Sequence, residues 1–328
     1  MEITYRRLST LPLEEAVRVW NEGFSGYLVP ISMTVESFLT KLGLEGLVPS
    51  KSLVAYVDGE AAGMVVNGFR TFNGQKAAWN GGTGIAPKFR GKGVGKALME
   101  ATLALYEEEG VELAILEALH QNEPAIRLYQ SVGYEIVDRL VFYTKEGVLE
   151  EGAFGGQVGV VGDLGSVGAI GSVAGLDAGL ADSGVASGRS GYVVKRGGGH
   201  DVRNLGFYRH LSPYQTQASV LRDGESVIVL DAAGEAVGYA LFRRTFDDAG
   251  KLIQINLMQC EVAAEQQDAR TIAQLLLRHA YGPLEVETRR GTFNYPASNT
   301  LVAELLREEG FSLTNEQVYM IKQMERKS

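Results

Sequence analysis

A five-residue string is echoed in this chain at an offset of 175 with one change, first as Gly59-Glu60-Ala61-Ala62-Gly63 and then as Gly234-Glu235-Ala236-Val237-Gly238. At that offset Lys76 meets Lys251, and the apolar run that ends at Ile85 meets Leu252 to Glu261. Asn122, Gly133 and Tyr134 meet Asn299, Gly310 and Phe311 at an offset of 177, and Tyr192 to Arg196 resembles Ile3 to Arg7. One such match is chance. Several in the same order mean that one fold is present twice. Between the copies the composition turns to Gly, Ala, Ser, Val and Asp, with glycine at every third position from Gly156 to Gly171 and no proline, which reads as a flexible linker rather than collagen. The chain therefore divides into a first domain over 1–149, a Gly-rich linker over 150–190 and a second domain over 191–328.

The first copy alternates strand and helix signals. Ile3 to Arg7 reads as an edge strand, Pro12 to Asn21 and Thr34 to Leu42 as helices, and Ser52–Val57 and Ala61–Phe69 as strands joined by the hairpin signal Asp58-Gly59-Glu60. Lys76–Ile85 is a third strand. Gly95 to Glu109 is an amphipathic helix that Gly110 stops, Val111–Leu119 a buried strand, Asn122 the cap of a further helix, and Tyr134–Lys145 a last strand. This order predicts an α/β (α+β) fold in which each copy is a mixed, mostly antiparallel sheet flanked by helices.

Between Ile85 and the helix lies a loop with Lys88, Arg90, Lys92 and Lys96 around Gly91, Gly93 and Gly95, in a chain of formal net charge -9. Glycines let backbone amides approach an anion and the helix N-terminus adds positive potential, so a phosphate or pyrophosphate is the natural occupant. The acidic balance argues against general nucleic-acid binding. Met1 to Leu13 is polar, no apolar run is long enough to cross a bilayer, and the single Cys260 and four histidines offer neither a disulfide framework nor metal-ligand spacing. A soluble, cytoplasmic protein with no metal and no membrane or nucleic-acid partner is expected, with homo-oligomerisation left open.

A Walker loop would need glycine where Arg90 stands and Ser or Thr at Ala97, and a dinucleotide loop would follow the first strand directly. What remains, Arg90-x-x-Gly93-x-Gly95 after a set of antiparallel strands, resembles the acetyl-CoA loop of the GNAT superfamily of acyl-CoA N-acyltransferases. Asn122-x-x-Ala125, Leu128-Tyr129 and Gly133-Tyr134 look like that family's second cofactor motif, and the resemblance covers Ile3 to Lys145. It implies two GNAT-like domains and transfer of an acetyl group from acetyl-CoA to the amine of a small molecule or protein. By this resemblance Ile85 and Ala86 would pair with the pantetheine arm, and the amides of Arg90, Gly91, Lys92, Gly93, Val94, Gly95 and Lys96 would hold the pyrophosphate. Asn122 would contact cofactor or substrate, and Tyr129 would donate a proton to the leaving sulfur.

The strand Trp79-Asn80-Gly81-Gly82-Thr83 has no carboxylate, which leaves Glu117, Glu22 or a water wire as the base, with Glu117 the choice. Phe24, Tyr27, Phe69 and Trp79 are candidates for an acceptor pocket, and His120 is the one histidine near the expected site. Cys260 reads as inert packing. In the second copy Glu265-Gln266-Gln267-Asp268-Ala269-Arg270 replaces Arg90 to Gly95, which predicts a degenerate half without a phosphate loop. The alternative to an enzyme is an acyl-CoA sensor or protein-interaction module. A nucleotide-phosphate binder is a third reading.

Overall fold

The computed structural model describes residues 1–72, 74–155, 160–164 and 191–325. The expected linker thus falls outside the described residues at 156–159 and 165–190. The first half runs β1 (Ile3–Arg7), α1 (Leu13–Gly23), α2 (Val35–Leu44), β2 (Leu53–Val57), β3 (Glu60–Phe72), β4 (Gln75–Ile85), α3 (Val94–Glu108), β5 (Leu113–Leu119), α4 (Glu123–Ser131) and β6 (Glu135–Lys145). After β7 (Val160–Leu164) come β8 (Tyr192–Gly198), β9 (Gly224–Leu230), β10 (Ala236–Phe246), β11 (Leu252–Val262), α5 (Ala269–Tyr281), β12 (Arg289–Thr292), β13 (Tyr295–Pro296), α6 (Thr300–Glu308) and β14 (Ser312–Gln323). The hairpin between β2 and β3 turns on Asp58 and Gly59 at φ 48 and 86, the positive values that a tight two-residue turn requires. Among the described residues no helix is long and apolar enough to cross a membrane.

All fourteen strands join one mixed, mostly antiparallel sheet, in the order β1-β2-β3-β4-β5-β14-β6-β12-β11-β10-β9-β8-β7 with β13 beside β6. Its centre is an exchange that no local pattern announces. β14, from the end of the second half, pairs antiparallel with β5 from Leu119↔Gln317 to Leu113↔Gln323, while β6 leaves the first half and pairs with β12 and β13. β14 and β6 pair antiparallel with each other. Alternation along β14 then serves both faces of the first half. Val318 and Met320 join the core under α3 and α4, and Tyr319 joins the opposite core with Trp20 and Trp79. Val141 and Tyr143 of β6 are buried reciprocally with α5 and α6.

Other contacts seat the halves together. Tyr214 of the second half stacks on Trp79 of β4, with centroids 3.6 Å apart and planes at 13°, and Phe293 meets Phe142 edge-on at 5.5 Å. Glu151 to Gly155, the start of the expected linker, forms turns that bury Ala153 and Phe154, with Phe154 stacked on Tyr281 at 5.9 Å.

Candidate active site

β4 and β5 run parallel only from Ala77↔Leu113 to Asn80↔Leu116 and then part. The parting starts at a bulge, where the β3 register shifts between Val66 and Asn67 opposite Gly82 and Asn80, so Gly81 is the extra residue. Beyond Asn80 no described strand pairs with that edge of β4. On one flank α1 lies directly on the strand. A Cβ at Gly84 would sit 3.0 Å from the carbonyl carbon of Gly23, so this approach demands glycine.

The loop after β4 delivers amides to the mouth of this gap. Gly91 and Gly93 have φ 71 and 82, and Gly93 is the N-cap of α3. The first bond closing the helix runs from the Ala97 amide to the Gly93 carbonyl at 3.0 Å, so the amides of Gly93, Val94, Gly95 and Lys96 have no partner within the helix. A Cβ at Gly95 would lie 3.3 Å from Leu128 Cδ2, where α3 meets α4. Lys92 is exposed beside the loop, Lys96 stands 3.8 Å from the Glu100 carboxylate, and Lys88 pairs with Glu60.

Three residues expected at the phosphate or the pantetheine arm also make bonds within the protein. The Arg90 amide donates to Pro87 O at 3.2 Å. Its guanidinium donates to Ile85 O at 2.8 Å, Gly23 O at 3.0 Å and Ser25 O at 2.7 Å, because the end of α1 presents carbonyls that lack helical partners. Arg90 therefore clamps the loop to α1. Ile85 O accepts from that clamp on the open edge of β4, and the Ala86 amide donates to Ala62 O at 2.8 Å.

Where β4 and β5 part, a cavity of about 240 Å³ is lined by Glu117, Tyr129, Asn122 and Thr83. Glu117 presents a buried Oε1 with no hydrogen-bond partner. Burial, reinforced by the nearby Glu45 charge and opposed by Lys41 and by the backbone amides of Glu117 and Tyr214, pushes its carboxyl up to about 8. Tyr129 is buried, and burial pushes its phenol up to about 12 against a hydrogen bond with Thr83, so it keeps its proton at every physiological pH. Asn122 caps α4, accepting from the Ala125 amide at 3.3 Å, and its bond with Tyr27 opposes the upward shift that burial imposes on that phenol. The structure thus brings Glu117, Tyr129 and Asn122 to one place, beside the loop.

Other candidates lie elsewhere. Glu22 donates nothing to the cavity and accepts from Arg18 at 2.9 Å in an exposed pair. His120 is exposed. Phe24 and Tyr27 line the cavity, whereas Trp79 lies under Tyr214 and Phe69 packs on Tyr106 at 5.6 Å. Four lining residues that sequence reasoning missed, Gln215, Phe293, Asn294 and Gln317, come from the second half. The repeat names only their counterparts, so no local signal pointed to them.

The second half has the same parting, since β11 pairs with β12 only from Gln254↔Arg289 to Leu257↔Thr292. Its own side chains enter the gap. Tyr295 Oη and Asn299 Nδ2 both donate to Cys260 O, at 3.0 and 2.9 Å, and Arg209 bridges Glu261 and Asp138 at 3.3 and 3.5 Å. Cys260 is buried, and burial pushes its thiol well up, as inert packing requires.

A parallel strand pair that parts at a bulge, next to a glycine loop opening a helix, is matched in known proteins. The family model described as acetyltransferase (GNAT) family matches residues 15–134. A mycothiol acetyltransferase of Propionibacterium freudenreichii is 30% identical over 40% of this chain and 42% of its own length, so the chain spans about two fifths of that relative. An uncharacterised N-acetyltransferase of Archaeoglobus fulgidus is 32% identical over 40% of this chain and 90% of its own length. Among solved structures, a GCN5-related N-acetyltransferase of Sphaerobacter thermophilus has a TM-score of 0.56 at 16% identity, over 98% of this chain and 95% of its own, so the fold recurs across both halves. Motif, topology and relatives agree that the chain belongs to the GNAT family of acetyltransferases.

Proposed function

We propose that this protein is an N-acetyltransferase that moves the acetyl group of acetyl-CoA to a primary amine by direct attack, with its one acyl-CoA site in the first half, residues 1–149. The observation that carries the reading is the shared cavity of Glu117 and Tyr129 beside an unpaired helix N-terminus. The residues fit the cofactor. The amides of Gly93 to Lys96 and the charges of Lys92 and Lys96 suit a pyrophosphate, and the unpaired edge of β4 suits an extended amide-bearing arm. Bound there, acetyl-CoA supplies an activated thioester carbonyl.

The chain's own groups handle the protons. Glu117 takes one from the acceptor nitrogen, for which a carboxylate titrating near 8 is well matched to an ammonium at working pH. Tyr129 Oη holds the proton that the departing sulfur takes. Trp20 of α1 and Phe24, the residue that caps its end, have centroids 4.3 Å apart, wall the cavity and limit water. In the second half a cavity of about 370 Å³ lies at the matching place, but Glu261 and Glu265 line it and Tyr295 and Asn299 both donate to Cys260 O, which supports a non-binding, supporting role for residues 191–328.

Release of free thiol from acetyl-CoA, followed with a panel of amines, tests the proposal. Turnover with at least one amine, lost in Glu117→Gln, is expected. Tight CoA binding without turnover of any amine would replace the enzyme by an acyl-CoA sensor.

A further inference from the structure

Glu117 Oε1 is one of two buried oxygens without a donor among the residues lining the cavity. The other is Oδ1 of Asn294, in the loop between β12 and β13 of the second half. Asn294 is 3% exposed, and its Nδ2 lies 3.5 Å from Gln215 Oε1. Its backbone stands at φ 48, in the left-handed region that Asn adopts more readily than other residues with a side chain. A buried acceptor left unpaired carries the full cost of its lost hydration. The fold thus keeps an unsatisfied oxygen on a residue of the cavity wall, and such a group calls for a partner.

Two unpaired acceptors on residues that line one cavity call for a ligand with two donor groups. The cavity, at about 240 Å³, lies below the roughly 300–1,000 Å³ of sites for drug-sized ligands, so the ligand is small. We infer that Asn294 is an acceptor-specificity residue, supplied across the interface by the second half, and that the acceptor is a small amine carrying a hydroxyl or amide N–H that donates to Asn294 Oδ1. This rests on the acetyl-transfer reading only for the identity of the group at Glu117. The second half then completes the acceptor site rather than merely bracing it. Gln215 orients the Asn294 amide so that its oxygen, not its nitrogen, faces the ligand.

The test is calorimetric binding to the CoA-saturated protein of amino alcohols and amino amides of increasing length, each paired with the alkylamine of equal length. Asn294→Gly is the variant, because glycine adopts φ 48 freely and the substitution leaves the backbone unstrained. The wild type is expected to bind at least one donor-bearing amine tenfold or more tighter than its alkyl partner. In Asn294→Gly that ratio falls to within twofold, while the Kd for CoA and the melting temperature hold. No preference in the wild type, or a preference that survives in Asn294→Gly, overturns the inference. Thiol release measured in parallel separates it from the reaction. Asn294-dependent binding without turnover refutes acetyl transfer alone, and turnover with a preference indifferent to the variant refutes the acceptor assignment alone.

Discussion

Glu117 sits in a cavity where its charged form is disfavoured, and this has two measurable consequences. As the base it must be ionised, so kcat/KM is expected to rise with pH through about 8 and then level, and Glu117→Gln to lower it about 10²–10⁴-fold and flatten the profile. The stability consequence has the opposite sense. The folded carboxyl titrates near 8 and the unfolded one near 4.5, so between those values the native state binds the extra proton and stability falls as pH rises, by at most about 1.4 kcal/mol per unit. Denaturant melts of Glu117→Gln should therefore match the wild type at pH 4.5 and exceed it at pH 9. A wild-type advantage at pH 9 would mean that the carboxylate is paired rather than buried. Gly93→Asp isolates the loop. Its φ of 82 strains any side chain and the new charge opposes a pyrophosphate, so the Kd for CoA should rise at least 100-fold in equilibrium titrations with a melting point little changed. Residues of this kind were legible in sequence because their signals are local: Gly93, Asn122 and Tyr129 stand in short motifs. The clamp made by the Arg90 side chain was not legible, because the carbonyls it meets, on Gly23 and Ser25, become available only when α1 docks on β4. Asn294 was invisible, since its partner surface lies across the interface.

At the scale of elements, the site is a consequence of β4 leaving β5. Glycine at 82 and 84 removes side chains where the end of α1 presses on the strand, so Trp20 and Phe24 reach the parting and become its wall. Strand and helix identities were readable from apolar runs and helical spacing, because β2 and most of β3 are buried on both faces between flanking turn signals, and α3 buries Val94, Leu98, Met99, Thr102, Leu103, Leu105 and Tyr106 on one stripe. The parting itself was not, since it depends on a bulge at Gly81 that periodicity alone does not mark. Arg90 couples the two functions of this region. It fastens the phosphate loop to the helix that walls the acceptor cavity, with charge-assisted bonds to three carbonyls. Arg90→Ala should lower stability by about 2 kcal/mol and raise the KM for acetyl-CoA and for the amine together. A change in one KM alone would show that loop and helix move independently. Lysine should rescue little, because one ammonium cannot span three carbonyls as the guanidinium fork does.

For the whole molecule, the exchange of β6 and β14 decides whether the halves are separable. The sequence announced two copies but not which strand closes which sheet, because a strand's pattern reports its buried faces and not its neighbour. In residues 1–149 alone, β5 loses the partner that covers Leu113 to Leu119, and the two cores lose Val318, Tyr319 and Met320, each worth about 2 kcal/mol of burial. That loss rivals the entire stability of a typical domain, and it leaves an apolar edge exposed. The antiparallel β14·β6 pair also shows how the fragment can recover, since two copies can place one β6 beside the other's β5 in the manner of β14. Residues 1–149 should therefore precipitate or run as a strand-exchanged dimer in light scattering. A monomer with a cooperative melt and wild-type CoA affinity would refute this. Expressed together as two chains, 1–164 and 191–328 retain every described strand and should form a 1:1 complex that binds one CoA with near-native affinity. Two CoA per complex would reopen the second gap, and failure to associate would show that the connection between the halves drives the exchange.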